Sequence, residues 1–263
     1  MIKLFISDLD GTLLGMNHYM KSEDIYAIQE LTAGKVQLAV ASGRMDHEIN
    51  EVLKRMEVSG HRVSQNGAFV YDRESNNIHS KTFDESTARK VMEDMEEVPL
   101  LKTVSTADRT YTLKHSKWID VISEQLFHEI IVEPNMIEEF GKSIHPSKIS
   151  LHGREEEVIE ASRMIDKTYG QNLDSFVSHE TCVDLMPKAI NKGNGIKALL
   201  QEINIKPEEI ACVGDSFNDL SMFELTPHSY AMSTARPEVK ERASQVVDHV
   251  HEAIEDLEKK GLL

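Results

Sequence analysis

The stretch DLDGT, residues 8–12, places Asp8 and Asp10 directly after the apolar run IKLFIS. Two ionised carboxylates at the end of a buried strand repel each other unless a metal ion, a lysine or a bound phosphate compensates their charge. In such a pair, one carboxylate can attack phosphorus while the other protonates the leaving oxygen and activates water. Gly11 lets the backbone turn close to a phosphate, and Thr12 can donate a hydrogen bond to it. Taken alone, Asp-Gly after a strand is more often an ordinary turn than a catalytic motif.

Further polar residues, Lys192 among them, lie at the ends of other strands predicted for the same sheet. Hydroxyl and amide groups among them suit a phosphate, the carboxylates suit a hard divalent cation, and a lysine would neutralise phosphoryl oxygens. Because ligands of parallel sheets bind beyond the carboxyl ends of the strands, we expect these groups to converge with the aspartate pair. Mg²⁺ is the expected cofactor, since it prefers a few carboxylates together with water and a substrate phosphate. The residues are Ser42, Gly43, Arg44, Lys192, Asp215, Asn218 and Asp219.

The elements that must position these residues alternate between strand and helix at both ends of the chain. Near the start, IKLFIS and VQLAVA are typical of buried strands, and SEDIYAIQELTA and DHEINEVLKRM are typical of helices, the first with Ser22 as its expected N-cap. After Pro187 the alternation returns with GNGIKALLQEIN and EEIACVGDS. The pattern predicts an α/β fold with a Rossmann-like, doubly wound parallel sheet.

The middle of the chain follows a different pattern. HRVSQNGAFVY predicts short antiparallel strands joined at Asn66-Gly67, and the following hundred or so residues mix helices with hairpin-like strands. We therefore predict a catalytic core formed by residues 1–83 and 187–263, with an α+β cap domain inserted at 84–186.

Composition limits the class of partner. The chain has 263 residues and a formal net charge of −16, which opposes binding to nucleic acid or to anionic lipid. Its apolar runs are shorter than the roughly 18 residues of a membrane span, and acidic residues appear too early for a signal peptide. We expect a cytoplasmic protein whose partner is a small phosphorylated metabolite.

Four segments, DLDGT, ASGR, NKG and GDSFND, resemble in their order the four motifs of the haloacid dehalogenase superfamily. The long insertion between the second and third segments resembles that of the Cof-type phosphatases, the subclass IIB branch with an α+β cap. The resemblance spans nearly the whole chain and implies a Mg²⁺-dependent phosphatase with an aspartyl-phosphate intermediate.

The resemblance also implies roles for the proposed catalytic residues. Asp8 would be the nucleophile and a metal ligand, while Asp10 would be the general acid/base and offer its backbone carbonyl to the metal. Ser42 would bind the phosphoryl oxygens, and Lys192 would neutralise them and position Asp8. From the sequence alone, Lys188 remains a rival for the lysine role.

Other roles follow from the same resemblance. Asp215 would complete the metal site, and Asp219 would support it directly or through water. Asn218 would orient the substrate or a neighbouring carboxylate, whereas Asn66 and Gly67 would lie near the substrate under the cap. The cap would exclude water and select the leaving group.

One departure from the family pattern affects a loop near the metal. Many relatives carry Gly-Asn after the Ala-Met of the late strand, where this chain has Ser233 and Thr234. Two alternatives to a phosphatase also stay open. A phosphomutase would use the same nucleophile and return the phosphoryl group to its substrate, and a phosphate-ligand sensor would keep the fold with little turnover.

Overall fold

The computed structural model describes residues 1–15, 19–126 and 128–263, and the chain forms two compact units. The first comprises Met1–Ser80 and Asn191–Leu263, and the second Lys81–Ile190, where the sequence predicts an insertion at 84–186. The observed insertion is longer than the predicted one, because residues near both of its ends form hydrogen bonds within the same unit. The N–H of Phe83 donates to the carbonyl of Pro146, and Lys188 and Ala189 both bind the carboxylate of Asp174.

The helices and strands follow one another in three segments. The leading segment contains β1 (Leu4–Ser7), α1 (Ser22–Ala33), β2 (Gln37–Ala41), α2 (Asp46–Arg55), β3 (His61–Ser64), β4 (Phe69–Tyr71) and β5 (Asn77–Ser80). The insertion contains α3 (Glu85–Asp94), β6 (Leu101–Ser105), β7 (Thr110–Thr112), α4 (Lys117–Gln125), β8 (Ile130–Val132), β9 (Lys148–His152), α5 (Glu155–Tyr169), β10 (Leu173–His179) and β11 (Cys182–Pro187). The closing segment contains α6 (Lys192–Ile203), β12 (Ile210–Gly214), α7 (Leu220–Phe223), β13 (Ser229–Met232), α8 (Pro237–Lys240), β14 (Gln245–Val247) and α9 (Val250–Lys259).

Within the described residues, the first unit has an eight-stranded sheet in the order β14-β13-β12-β1-β2-β3-β4-β5. The strands from β14 to β3 are parallel, and β4 and β5 add antiparallel to that edge. The chain runs outward from β1 in one direction through β2 and in the other through β12. This reversal places the switch point of the sheet at the end of β1, where α/β proteins bind their ligands.

The central strands are buried on both faces, as their continuous apolar sequences predict. All four residues of β1 and all five of β12 are buried. Helix α6 packs on this sheet through Ile196, Leu199 and Leu200, which join the same apolar core. One detail of the sequence prediction is wrong: helix α1 begins at Ser22 itself, so Lys21 occupies the N-cap position and no side chain caps the helix.

The second unit has a six-stranded sheet within the described residues, in the order β10-β11-β9-β6-β7-β8. Its neighbours are antiparallel except for β7 and β8. Apolar side chains of α3 and α5 join those of alternate strand positions in one core. The predicted α/β class, with a doubly wound parallel core and an α+β insertion, is confirmed. Among the described helices, none is long and apolar enough to cross a membrane.

Candidate active site

Asp8 lies at the end of β1 and forms a buried ion pair with Lys192, the first residue of α6. The Nζ atom of Lys192 donates to Oδ1 of Asp8 and to Oδ1 of Asp219, each at 2.6 Å. The side chains of Lys192 and Asp219 are fully buried, and that of Asp8 is 6% exposed. A lysine is rarely buried so completely unless carboxylates surround its ammonium group. The pair therefore joins two regions that lie 184 residues apart in sequence.

Asp215 follows β12 and completes a cluster of carboxylates with Asp8 and Asp219. One oxygen from each of the three side chains lies within 4.8 Å of the others. The hydroxyl of Thr12 donates to Asp215 at 2.9 Å and, more weakly, to Asp8 at 3.5 Å. Gly11 adopts a φ of +85°, and a Cβ at this position would lie 2.5 Å from the carboxylate of Asp215. A glycine is thus required both by the backbone conformation and by the cluster itself.

The electrostatics of this cluster favour a divalent cation. Burial raises the pKa of Asp8 well above its ordinary value, with Lys192 opposing and the neighbouring carboxylates adding to the shift. Burial and then Asp219 raise the pKa of Asp215 to about 6. Burial alone would lower the pKa of Lys192, but Asp219 and Asp8 raise it above its usual range. The carboxylates thus outnumber the ammonium group that they share, and hard oxygen ligands in this arrangement suit Mg²⁺.

The carboxylate of Asp219 holds the loop after β12 in place. Its Oδ2 accepts the backbone N–H groups of Asp215 and Ser216, both at 2.9 Å, while its Oδ1 accepts from Lys192. A Cβ on Gly214 would lie 2.5 Å from this carboxylate. Asp219 therefore holds Asp215 in place and also contributes an oxygen to the cluster.

Asp10 has different surroundings from Asp8. Its carboxylate accepts two hydrogen bonds from Arg44, from Nε at 2.8 Å and from a terminal nitrogen at 2.7 Å, and its side chain is 53% exposed. Arg44 also contacts Glu48, whose other oxygen accepts the backbone N–H of Met45 at the start of α2. The sequence analysis missed Glu48. Its spacing of four from Arg44 and of three from Met45 on a helix start is the signal that would have found it.

Ser42 and Asn66 lie on adjacent turns that follow β2 and β3. The backbone N–H of Asn66 donates to the carbonyl of Ser42 at 2.9 Å, and the N–H of Arg44 donates to the hydroxyl of Ser42 at 3.1 Å. Gly43 lies between Ser42 and Arg44 in the sequence. A Cβ added to Gly43 would be in van der Waals contact with the carboxamide of Asn66. These contacts place the predicted phosphate-binding turn beside Asn66.

The turn at residues 65–67 is strained. Gln65 and Asn66 both have a left-handed backbone, with φ of 46° and 55°, and Gly67 follows with φ of 100°. A Cβ on Gly67 would lie 2.5 Å from the carbonyl of Asn191. Gly67 therefore allows the turn to approach the start of α6, and its predicted contact with substrate stays a prediction.

The structure distinguishes the two candidate lysines. The Nζ of Lys188 donates to Asp174 and to the carbonyl of Gly170, both in the inserted unit, whereas Lys192 contacts Asp8 and Asp219. The expectation that Lys192 follows a strand of the central sheet is wrong. It begins α6, and the preceding β11 belongs to the sheet of the insertion.

Asn218 and Ser233 are two further residues that the sequence analysis names. Asn218 lies in the loop with Asp219 and donates from Nδ2 to Oδ1 of Asn66 at 3.1 Å, so the turn after β3 contacts the fourth motif. Ser221, missed by the sequence analysis, accepts the N–H of Gly193 and contacts the carbonyl of Asn218. Ser233 follows β13 and is exposed, and its N–H donates to Val247.

Comparison with known proteins identifies the family. Residues 5–254 match the haloacid dehalogenase-like hydrolases. The chain belongs to this family. It is 26% identical to phosphatase YwpJ of Bacillus subtilis, with 93% of this chain and 94% of that protein covered. The crystal structure of TM0651 from Thermotoga maritima is 28% identical, covers 97% of each chain and superposes with a TM-score of 0.84.

The organisation with an inserted domain is also found in a second solved structure. The structure of BT4131, described as a subclass IIB sugar phosphatase, covers 99% of this chain and all of its own with a TM-score of 0.83 at 20% identity, and so shares the fold. The predicted membership in the haloacid dehalogenase superfamily and the predicted enzyme class, a phosphatase of this family, are confirmed.

Proposed function

We propose that the protein is a Mg²⁺-dependent phosphatase that hydrolyses a small phosphorylated metabolite, such as a sugar phosphate or a phosphorylated cofactor, through an aspartyl-phosphate at Asp8. The observation that carries the proposal is the buried contact of Lys192 with Asp8 and Asp219, beside Asp215, at the switch point of the sheet. The proposed nucleophile, the ammonium group of Lys192 and the proposed metal ligands then lie together where a phosphate would bind.

The reaction has two steps. An oxygen of Asp8 forms a bond to phosphorus as the bond to the leaving oxygen breaks, and Asp10 gives the leaving oxygen a proton. A water molecule then loses its proton to Asp10 and attacks phosphorus, which releases inorganic phosphate and restores Asp8. Lys192 keeps Asp8 oriented and balances charge on the transferring group.

The carboxylates of Asp8, Asp215 and Asp219 would hold the Mg²⁺ ion, together with the backbone carbonyl of Asp10. When bound, the ion would supply positive charge against the carboxylates and the phosphoryl oxygens. Thr12, whose hydroxyl binds Asp215, would keep that ligand in position. Ser42, Gly43 and Arg44 form the turn that would bind the phosphoryl oxygens.

We propose a small metabolite as the partner because the protein carries a formal net charge of −16. Such a charge repels nucleic acid and anionic membranes, while a local cation and Lys192 can still attract one phosphate group. A cytoplasmic location fits a metabolite of this kind.

The test measures inorganic phosphate released from a panel of phosphorylated sugars, nucleotides and cofactors, with Mg²⁺ and with a chelator. Release that needs the metal and disappears in Asp8→Asn would support the proposal. Conversion to an isomer without free phosphate would indicate a mutase. If the folded wild type leaves every compound unchanged, the phosphatase proposal fails and the sensor alternative gains support.

A further inference from the structure

Glu48 is a buried carboxylate to which the reaction described above gives no role. It is 1% exposed and is the third residue of α2. Its Oε2 accepts the backbone N–H of Met45 at 2.9 Å, a contact that many helices form at their first turn. Its Oε1 accepts a hydrogen bond from Arg44 at 3.3 Å. The start of the helix explains the first contact, whereas the second turns the carboxylate toward the proposed phosphate-binding turn.

The guanidinium of Arg44 connects Glu48 with Asp10. Its Nε and one terminal nitrogen donate to the two oxygens of Asp10 at 2.8 and 2.7 Å, and the other terminal nitrogen donates to Glu48. Two parallel hydrogen bonds from a planar guanidinium fix the plane of a carboxylate as well as its distance. The side chain of Arg44 is 8% exposed and that of Asp10 is 53% exposed. A buried cation therefore holds a carboxylate that solvent would otherwise leave free to rotate.

Arg44 can hold Asp10 only if its own guanidinium is fixed. An arginine side chain has several rotatable bonds, and ordering it costs conformational entropy. The backbone of Arg44 is fixed on both sides, because its N–H donates to the hydroxyl of Ser42 and its carbonyl accepts the N–H of Gln65. Glu48 fixes the guanidinium end, since its own carboxylate is bound to the start of the helix. A chain of contacts thus runs from the first turn of α2 to Asp10.

We propose that Glu48 is a positioning residue, which acts through Arg44 and keeps the carboxylate of Asp10 in the orientation that proton transfer requires. This role rests on the proposed function, in which Asp10 gives the leaving oxygen a proton. Without the carboxylate of Glu48, the guanidinium can rotate and Asp10 loses its fixed plane. The proton then reaches the leaving oxygen less often, and esters with a poor leaving group depend most on that proton.

The experiment compares phenyl phosphate with p-nitrophenyl phosphate, which has a similar shape and a much better leaving group. Glu48→Gln keeps the size of the side chain but replaces one acceptor oxygen with a donor. We expect kcat/KM to fall about tenfold for phenyl phosphate and by less than about threefold for p-nitrophenyl phosphate. Glu51→Gln is the matched control, because Glu51 lies on the same helix and pairs with Arg55 at the surface. It should leave both values unchanged.

Two further variants separate positioning from a purely structural role. In a background of Arg44→Ala, the further change Glu48→Gln should leave the ratio of the two kcat/KM values unaltered, because Glu48 acts through Arg44. Glu48→Asp keeps the charge, should retain more activity on phenyl phosphate than Glu48→Gln, and serves if Glu48→Gln does not fold. Equal losses on both esters would overturn the proposal and leave Glu48 only the capping of α2. A further change of the ratio in the Arg44→Ala background would overturn it as well.

Heteronuclear NMR tests the contact without turnover. The Nε–H signal of Arg44, identified by its absence in Arg44→Lys, should exchange faster with water in Glu48→Gln and stay unchanged in Glu51→Gln. An unchanged signal in Glu48→Gln would refute the proposal. If the wild type hydrolyses neither ester nor any compound of the panel described above, the proposed function fails, and the NMR result alone then decides whether Glu48 holds Arg44.

Discussion

At the scale of single residues, Asp8 and Asp10 are alike in sequence and unlike in the structure. Asp8 is buried against Lys192, and Asp10 is half-exposed and held by two hydrogen bonds from Arg44. A nucleophile must be fixed and shielded from water, whereas an acid/base must exchange protons with its surroundings. The different environments therefore agree with the different roles proposed for the two carboxylates.

The nucleophile is tested by Asp8→Asn. We expect phosphate release to fall by a factor of about 10³ or more, because a neutral carboxamide does not attack phosphorus. The substitution keeps the shape of the side chain, so circular dichroism should show an unchanged fold. Activity within a fewfold of the wild type would contradict the proposed aspartyl-phosphate.

The choice of lysine is tested by comparing Lys192→Ala with Lys188→Ala. Loss of Lys192 leaves Asp8 and Asp219 without their shared cation in a buried site, and we expect kcat to fall by about 10² or more. Lys188 is 48% exposed and pairs with Asp174 in the insertion, so its removal should change kcat by less than about threefold. Steady-state kinetics on both variants measure these changes in kcat. A larger loss in Lys188→Ala than in Lys192→Ala would disprove the assignment.

At the scale of elements, the start of α6 must approach the turn at residues 65–67 closely. A Cβ on Gly195 would lie 2.7 Å from Val63 and 2.8 Å from the Cα of Gly67. The helix thereby carries Lys192 to Asp8 and also supports the turn that holds Asn66. Small residues at this contact are thus part of the geometry of the site.

Gly195→Ala tests this contact. We expect it to lower the free energy of unfolding by about 1–3 kcal/mol, because the strand and the turn must shift to admit the methyl group. Denaturant unfolding measures the change, with Lys197→Ala on the exposed face of α6 as the control, expected within about 0.5 kcal/mol of wild type. A Gly195→Ala variant as stable as the wild type would show that the contact is loose.

His61 in β3 predicts a pH dependence of stability. Its Nδ1 accepts the N–H of Arg73 and its Nε2 faces Gln37, so the folded protein holds the neutral ring. Burial, and then Arg73, lower the pKa of His61 from 6.5 to about 4. Between these values the unfolded chain binds a proton that the folded protein does not, so stability falls as pH drops from about 6.5 to 4, by roughly 2 kcal/mol for this residue.

The measurement is denaturant unfolding at several pH values for the wild type and for His61→Gln. The variant should show a smaller loss of stability across that range. His152 in the insertion, whose pKa burial also lowers to about 4, should account for part of the slope that remains. Identical slopes in the two proteins would refute the role assigned to His61.

For the protein as a whole, the cluster of Asp8, Asp215 and Asp219 links the stability of the fold to a bound cation. Mg²⁺ that binds the folded protein and not the unfolded chain raises the unfolding midpoint by mass action. We expect an increase of a few degrees at millimolar Mg²⁺, reversed by a chelator and much smaller in Asp215→Asn. Differential scanning calorimetry measures it, with the exposed Asp108→Asn as control. An equal shift in Asp215→Asn and the wild type would place the metal elsewhere.

The fold class, the insertion and the family can be predicted from the chain alone, because buried parallel strands and the four motifs leave a local pattern along it. It also supplied Asp8, Asp215 and Asp219, since each follows or lies close to the end of a strand. The turn at Asn66 and Gly67 is predicted in the same way, from turn residues between two short strands, whereas their place near the substrate follows only from the family resemblance. Such features depend on neighbours in sequence, which a single chain displays directly.

The partners of these residues are seen only in the folded protein. It paired Lys192 rather than Lys188 with Asp8, joined Asp10 and Glu48 to Arg44, and brought Asn66 against Asn218, which lies 152 residues away. The boundaries of the insertion also depended on such contacts, because its composition differs little from that of the core. Hydrogen bonds and ion pairs of this kind depend on the spatial order of the strands, which leaves no periodic signal in the sequence.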